Sequence, residues 1–239
     1  MPTVRIKNAS LAYGEQIIFS KLNMELTAGK WIGLLGPSGV GKSSLLRMLA
    51  GITTAQGKIE TDNNLPLHQQ IAYMAQTDLL LPWLTVLDNT TLPSLRGSNP
   101  VTAGTLLLEK VGLGHALHLY PHQLSGGMRQ RVALVRTLLE NKPVILMDEP
   151  FSALDAITRY KLQALAADLL RDKTVLFITH DPLEALRLSH EIYIMQGTPA
   201  QVKSVAQLAS PTPREITDPT LVELQAHLFR ELAAASQSS

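Results

Sequence analysis

The 239-residue sequence predicts an α/β fold: a parallel sheet flanked by helices, preceded by antiparallel strands and interrupted by a helical insertion. Three observations carry this reading. Compact apolar runs at 31–35, 144–147, 175–179 and 192–195 alternate with helix-period segments at 42–50, 158–170 and 182–188. Strands alternating with helices build parallel sheets. The run at 31–35 stops at a glycine-rich turn with a helix opening behind it, and from 76 to about 141 the apolar spacing becomes helical.

Taken in order, Val4, Ile6, Leu11 and Tyr13 mark a strand that ends in a turn at Gly14, and 17–19 and 22–26 predict further short antiparallel strands. The helix at 42–50 closes at Gly51, a residue that readily takes the left-handed conformation ending a helix. Segments 58–60 and 71–75 are weaker strands. Helical spacing returns at 102–111 and 127–140, where Val132, Val135, Leu138 and Leu139 share a face. A helix is expected from about 217 to 232, ahead of a frayed Ala/Ser/Gln end. The chain thus reads as a single domain over 1–239, with a helical subdomain at about 77–141 and a C-terminal helical tail at about 217–239.

Bulk properties narrow the function. Formal net charge is +1 and no long run of Lys or Arg occurs, so nucleic acid is not an expected partner. There is no cysteine, which excludes disulfides and thiolate metal sites. The first residues lack the basic start and apolar core of a secretory signal. No apolar stretch reaches the roughly 18 residues a membrane span needs. Work at a membrane would require another protein to hold this one there.

The turn after 31–35 reads Gly36-Pro37-Ser38-Gly39-Val40-Gly41-Lys42-Ser43-Ser44 and fits G-x-x-x-x-G-K-[ST]. Glycines let backbone N–H groups turn inward around phosphate oxygens. The following helix aims its positive end at them. Lys42 supplies a mobile charge for the β and γ phosphates, and the Ser43 hydroxyl suits Mg²⁺. Its place between a strand and a helix is the context that gives such a match meaning. The run at 144–147 leads into Asp148-Glu149-Pro150. Two acids at a strand end are commonly just surface charge. Opposite a phosphate loop, Asp148 becomes a candidate Mg²⁺ partner and Glu149 a candidate base for the attacking water.

Leu124-Ser125-Gly126-Gly127-Met128-Arg129-Gln130-Arg131 has a plain structural reading, with Ser125 capping the next helix. It is equally a second phosphate-binding surface, one that would serve a nucleotide held by another subunit. With these residues in view, the whole chain resembles an ABC ATPase, a P-loop NTPase with an inserted helical subdomain. Gly36 to Ser43 resembles the family's Walker A, 144–149 its Walker B and 124–131 its signature motif, in the family's order. The resemblance implies ATP and Mg²⁺ as cofactors. It also implies Gln76 as the Q-loop glutamine reaching the metal and γ-phosphate, Asp155 in the D-loop, His180 as the switch histidine and Tyr13 as the ring that stacks on adenine. Standing alone, Gln76, His180 and Tyr13 would read as a solvated side chain, a structural histidine and a core aromatic.

The stretch 80–89, with 122–138 and 147–156, is most similar to ATPases of bacterial nitrate, sulfonate and taurine importers, and 181–185 with Ser189 and His190 is also similar to ATPases importing a hydroxymethylpyrimidine thiamine precursor. The implied partners are a second copy of the chain, integral-membrane permease subunits and, indirectly, a periplasmic or surface solute-binding protein. The implied location is the cytoplasmic face of a bacterial inner membrane. The apolar residues at 79–83 are either core of the helical subdomain or part of a groove for a permease helix. A soluble ABC ATPase without a permease is the alternative. Soluble ABC ATPases of translation resemble tandem cassettes, and DNA-repair members carry a long coiled coil where this chain has about 80 ordinary residues.

Overall fold

A computed structural model describes residues 1–92, 100–215 and 217–237. Strand β1 (Val4–Tyr13) pairs antiparallel with β2 (Gln16–Leu26) on one side and with β4 (Gln56–Thr61) on the other. The two pieces expected at 17–19 and 22–26 are one strand. The polar Ser20-Lys21 step that divides them in sequence is a bulge with Lys21 at φ 51°, and bulges leave the ladder intact on either side.

The second sheet has the order β5-β6-β7-β3-β8-β9 among the described residues. Its strands are β3 (Trp31–Leu35), β5 (Ile71–Met74), β6 (Val144–Asp148), β7 (Thr174–Ile178), β8 (Glu191–Gln196) and β9 (Gln201–Gln207). All neighbours pair in parallel except β8 with β9. β3, β6 and β7 are buried at every residue. That explains why they appear in sequence as unbroken apolar runs rather than alternating ones. β3 and β6 flank β7 and run out at the same edge of the sheet, placing Gly36 and Asp148 two strands apart along that edge.

Helix α1 (Lys42–Leu49) follows β3 directly, and the 76–141 stretch contributes α2 (Val86–Thr91), α3 (Pro100–Lys110) and α4 (Gly126–Leu139). Residues 77–84 are irregular rather than helical. Helices α5 (Ala156–Leu169) and α6 (Pro182–Leu188) alternate with the strands, and α7 (Pro219–Gln237) runs beyond the expected end at 232. One apolar cluster joins α4 to one face of β6 and β7, a second fills the space between the two sheets, and a third seats α7 on α6 and β8.

At the opposite end of the sheet, His190 accepts the Trp31 N–H at Nδ1, 3.0 Å. Burial, helped by the Lys30 and Arg214 cations, lowers its pKa to about 4, so it is a neutral acceptor near pH 7.

Candidate nucleotide site

The glycine turn is shaped by close approach as well as by its own freedom. Gly36 sits at φ 145°, and a Cβ there would collide with the Met195 carbonyl oxygen. No side chain of any size fits, so β8 itself dictates glycine at the mouth of the loop. Behind it, Lys42 folds back and donates to the carbonyl oxygens of Gly36 at 2.8 Å and Pro37 at 2.7 Å. Burial lowers the lysine's pKa, while Glu149 and then Asp148 pull it back up. The two carboxylates thus partly offset the burial of the ammonium.

Ser38, Gly39, Gly41, Lys42, Ser43 and Ser44 line a cleft of about 220 Å³ together with Gln76 and Glu149. Asp148 stands beside it, only 2% exposed. Burial pushes its carboxyl above the ordinary range, and a hydrogen bond with Ser43 opposes that shift. Its Oδ2 is buried without a hydrogen-bond partner. A buried unpartnered carboxylate oxygen is costly unless something completes it. A hydroxyl and a carboxylate are hard oxygen donors of the kind Mg²⁺ takes, so the residues present fit that ion.

Glu149 takes φ 50°, uncommon for a residue with a side chain. Its N–H donates to the Ile178 carbonyl at 3.0 Å, closing the strand end. This turn directs the Glu149 carboxylate to His180, whose Nδ1 lies 3.5 Å from Oε2. The two sequence-predicted acids and the histidine thus meet at one strand edge although Glu149 and His180 sit on different loops.

Ser125 caps α4 by accepting the Met128 N–H at 3.2 Å. The capping reading is realised, and Ser125 and Gly127 do not line the lysine cleft. Gly126 instead borders a neighbouring pocket that also contains Gln76. Tyr13 is 47% exposed at the end of β1. Asp155 caps α5, and its hydrogen bond from Thr158 lowers its pKa. Tyr13 and Asp155 also lie outside the lining of the lysine cleft.

Two sets of residues were missed by the sequence reading. Gln130, 7% exposed on α4, donates from Nε2 to the Glu149 carbonyl at 2.9 Å and to Ser152 Oγ at 3.3 Å, and accepts the Ala153 N–H at 2.9 Å. One amide therefore ties the helix behind Ser125 to the backbone of the candidate base. The sequence reading names Gln130 only as a member of the 124–131 motif and gives it no role. Second, the irregular stretch after Gln76 is clamped to α4: Arg129 Nε meets Asp78 Oδ2 at 3.0 Å, and Arg136 donates to the carbonyls of Asp78 at 2.7 Å and Leu79 at 2.9 Å. Held this way, Leu79 and Trp83 remain 61% and 69% exposed, so they are not core. Leu80, by contrast, packs on the main cluster.

Comparison with known proteins agrees with this geometry. The family model described as ABC transporter matches residues 19–152. An ABC transporter ATP-binding protein of Haemophilus influenzae is 45% identical over 239 residues, spanning 96% of this chain and 98% of that protein. The aliphatic sulfonates import ATP-binding protein SsuB 2 of Pseudomonas syringae pv. tomato is 38% identical over 227 residues, 94% of this chain and 95% of its own length. Among solved structures, the dimeric form of MJ0796, a bacterial ABC transporter cassette, superposes with a TM-score of 0.77 at 29% identity, covering 87% of this chain and 99% of that one. The same cassette in a post-hydrolysis state bound to ADP and Pi gives a TM-score of 0.76 at 29% identity, with the same 87% and 99% coverage. A phosphate loop faced by two carboxylates, on a fold shared with cassettes that hold the products of ATP hydrolysis, places the chain in the ABC transporter family as an ATP-binding and ATP-hydrolysing protein.

Proposed function

We propose that this chain is the Mg-ATP-hydrolysing subunit of a bacterial importer, working as a homodimer on the cytoplasmic face of the inner membrane against separate permease subunits fed by a solute-binding protein. Among the described residues no helix is long and apolar enough to cross a membrane, consistent with permease subunits that are other chains. In this reading 1–239 acts as one nucleotide-binding domain, with 77–141 as its helical lobe and 217–239 as its tail.

The observation that carries the chemistry is the shared cleft of Lys42, Ser43, Gln76 and Glu149 beside the unpartnered Asp148 oxygen. The backbone N–H groups from Gly36 to Ser44, with Pro37 contributing fixed shape and Val40 the turn, cradle the phosphates. Lys42 leaves its two carbonyls for the β and γ oxygens. Ser43, Gln76 and Asp148 would hold Mg²⁺, which neutralises developing phosphate charge when bound. Glu149 accepts hydrogen bonding from the attacking water and takes its proton, with His180 orienting the carboxylate and meeting the γ-phosphate. Tyr13 stacks on adenine, an interaction worth roughly 1–3 kcal/mol. Ser125, Gly126 and Gly127 serve the nucleotide of the second copy, with Asp155 at the seam between copies.

Aliphatic sulfonates are the solute class the relatives' names point to. The experiment is twofold. Purified protein should release phosphate from ATP only with Mg²⁺ and elute as a dimer when hydrolysis is blocked. Cells lacking the gene should lose uptake of an aliphatic sulfonate. Phosphate release that is indifferent to Mg²⁺ would overturn the site, and unchanged uptake would overturn the solute.

A further inference from the structure

The loop that carries His180 is gripped from behind by buried polar groups that the hydrolytic site does not use. Glu184, on α6, is 6% exposed. Its carboxylate accepts from Gln163 Nε2 at 2.8 Å and is hydrogen-bonded with the Thr179 hydroxyl. Thr179 Oγ1 in turn accepts the Asp181 N–H at 3.1 Å. The residues on both sides of His180 are therefore tied to Glu184. On the far side, Gln163 Oε1 accepts from Arg187 Nη1 at 2.6 Å. Arg187 also donates to the carbonyls of Tyr160 at 2.9 Å and Arg214 at 3.2 Å, with its guanidinium 3.6 Å from the centre of the Tyr160 ring.

Arg214 is the other end of this chain. It is 4% exposed. Its N–H donates to Arg187 O at 2.9 Å, and its guanidinium donates to the carbonyls of Leu186 at 2.8 Å, Ser189 and Ser210, both at 2.7 Å. Next to it, the Tyr160 hydroxyl donates to Glu215 at 2.7 Å. Buried charged groups are expensive unless fully paired, and a fully paired network is rigid and selects one geometry. Here the rigid path runs from the segment leading into α7 to the loop holding His180.

We propose that Glu184, Gln163 and Arg187 are positioning residues for ATP hydrolysis, and that through them the seating of the C-terminal segment at Arg214 sets the placement of His180. The inference rests on the role given above to His180 and would make the tail a control point for the cassette.

The test uses the full-length chain and separates placement from folding. Gln163→Met keeps the side-chain length and removes both hydrogen bonds. We expect kcat to fall about tenfold with KM for ATP within twofold, since binding lies on the phosphate loop. Arg214→Ala, outside the lining of the lysine cleft, should lower kcat in the same way. The double variant should fall no further than the worse single, the non-additivity of residues acting through one network. Glu184→Gln preserves the hydrogen bonds without the charge and should retain most of the wild-type rate. Arg187→Lys is the second route if Gln163→Met folds poorly. Its single nitrogen cannot span acceptors that Arg187 reaches from both Nη1 and Nε, and kcat should again drop at constant KM. Wild-type kcat in the folded variants, or losses that simply multiply in the double variant, would overturn the inference. His180→Ala is the control: if it hydrolyses normally, the role of His180 itself is wrong, whereas a slow His180→Ala beside a normal Gln163→Met refutes the positioning chain alone.

Discussion

The phosphate-loop side of the site and the α4 side are built on opposite principles. The first is closed within one chain. Lys42 is pinned by two carbonyls, Gly36 is dictated by contact with Met195, and Asp148 and Glu149 end a strand buried on both faces. The second is clamped to the molecule but open toward solvent. Arg129 and Arg136 hold Asp78 and Leu79 to α4, while Leu79 and Trp83 are left exposed and Ser125 caps α4 outside the lining of the lysine cleft. Rigid parts hold the chemistry in place, and exposed parts are available to other chains. Beyond the apolar packing of α4 on the sheet, Gln130 joins the two through hydrogen bonds, with one amide on Glu149, Ser152 and Ala153.

The largest effect should come from the closed side. Glu149→Gln keeps the shape at the strained strand end and removes the basic oxygen. Hydrolysis should fall by about 10²–10⁴-fold, the usual worth of a general base. Mg-ATP binding should persist, and sizing chromatography with ATP should show a trapped dimer. Multiple-turnover phosphate release near the wild-type rate would move the base elsewhere, with His180 the first candidate.

The next effect asks whether the two sides belong to one site or to two chains. Lys42→Ala removes the charge nearest the β and γ phosphates, and Ser125→Arg blocks the α4 entry. Each variant alone should be nearly inactive, because preorganised charge is the main source of catalysis in phosphoryl transfer. A mixed dimer retains one site with wild-type Lys42 from one chain and wild-type Ser125 from the other, so mixing should restore hydrolysis. No recovery where mixed dimers demonstrably form would leave 124–131 as a helix cap and nothing more.

Much of this contrast was legible in the sequence, and the part that was not has a physical reason. Strands buried on both faces announce themselves as apolar runs, which is why β3, β6 and β7 were placed within a residue or so. The loop between β3 and α1 followed from glycine spacing. β9 was missed because Gln201–Gln207 is an exposed edge strand without such a run. α2 was missed because six residues carry too little period to count, although Thr85 and Asp88 form a visible cap. The candidate site residues were named one by one from the motifs. What could not be seen was how Gln130 reaches Glu149 or how Arg136 reaches Leu79, since those contacts join positions far apart in the chain and depend on the packing of α4 against the sheet.

Gln130 is where the two sides can be uncoupled. Gln130→Leu leaves the Ala153 N–H without its side-chain acceptor and removes one of the donors to the Glu149 carbonyl, which keeps the Ser152 hydroxyl at 3.1 Å. Part-buried hydrogen bonds of this kind contribute about 0.5–1.5 kcal/mol each. For a protein of this size 1 kcal/mol corresponds to roughly 2–4 °C in Tm. Thermal unfolding should therefore move down by several degrees, and hydrolysis should slow by about tenfold while ATP still binds. A variant with unchanged Tm and rate would mean that the two sides are joined by apolar packing alone.

The smallest catalytic effect belongs to Trp83, and its smallness is the point. The ring is 69% exposed, on a stretch fixed at Asp78 and Leu79 by α4 and at Leu81 by Asn89, whose side-chain oxygen accepts the Leu81 N–H at 2.7 Å. Trp83→Ala removes no core contact of consequence, and exposed substitutions of this kind stay within about 0.5 kcal/mol. The isolated chain should keep its Tm and hydrolyse ATP within twofold of wild type. A large exposed aromatic held in place without burial is the kind of residue that anchors an interface. If that interface is a permease, co-purification with membranes and solute uptake should both fall sharply in the same variant. Loss of stability in the isolated chain would return Trp83 to the core. Full uptake with a normal cassette would leave this surface without a membrane partner.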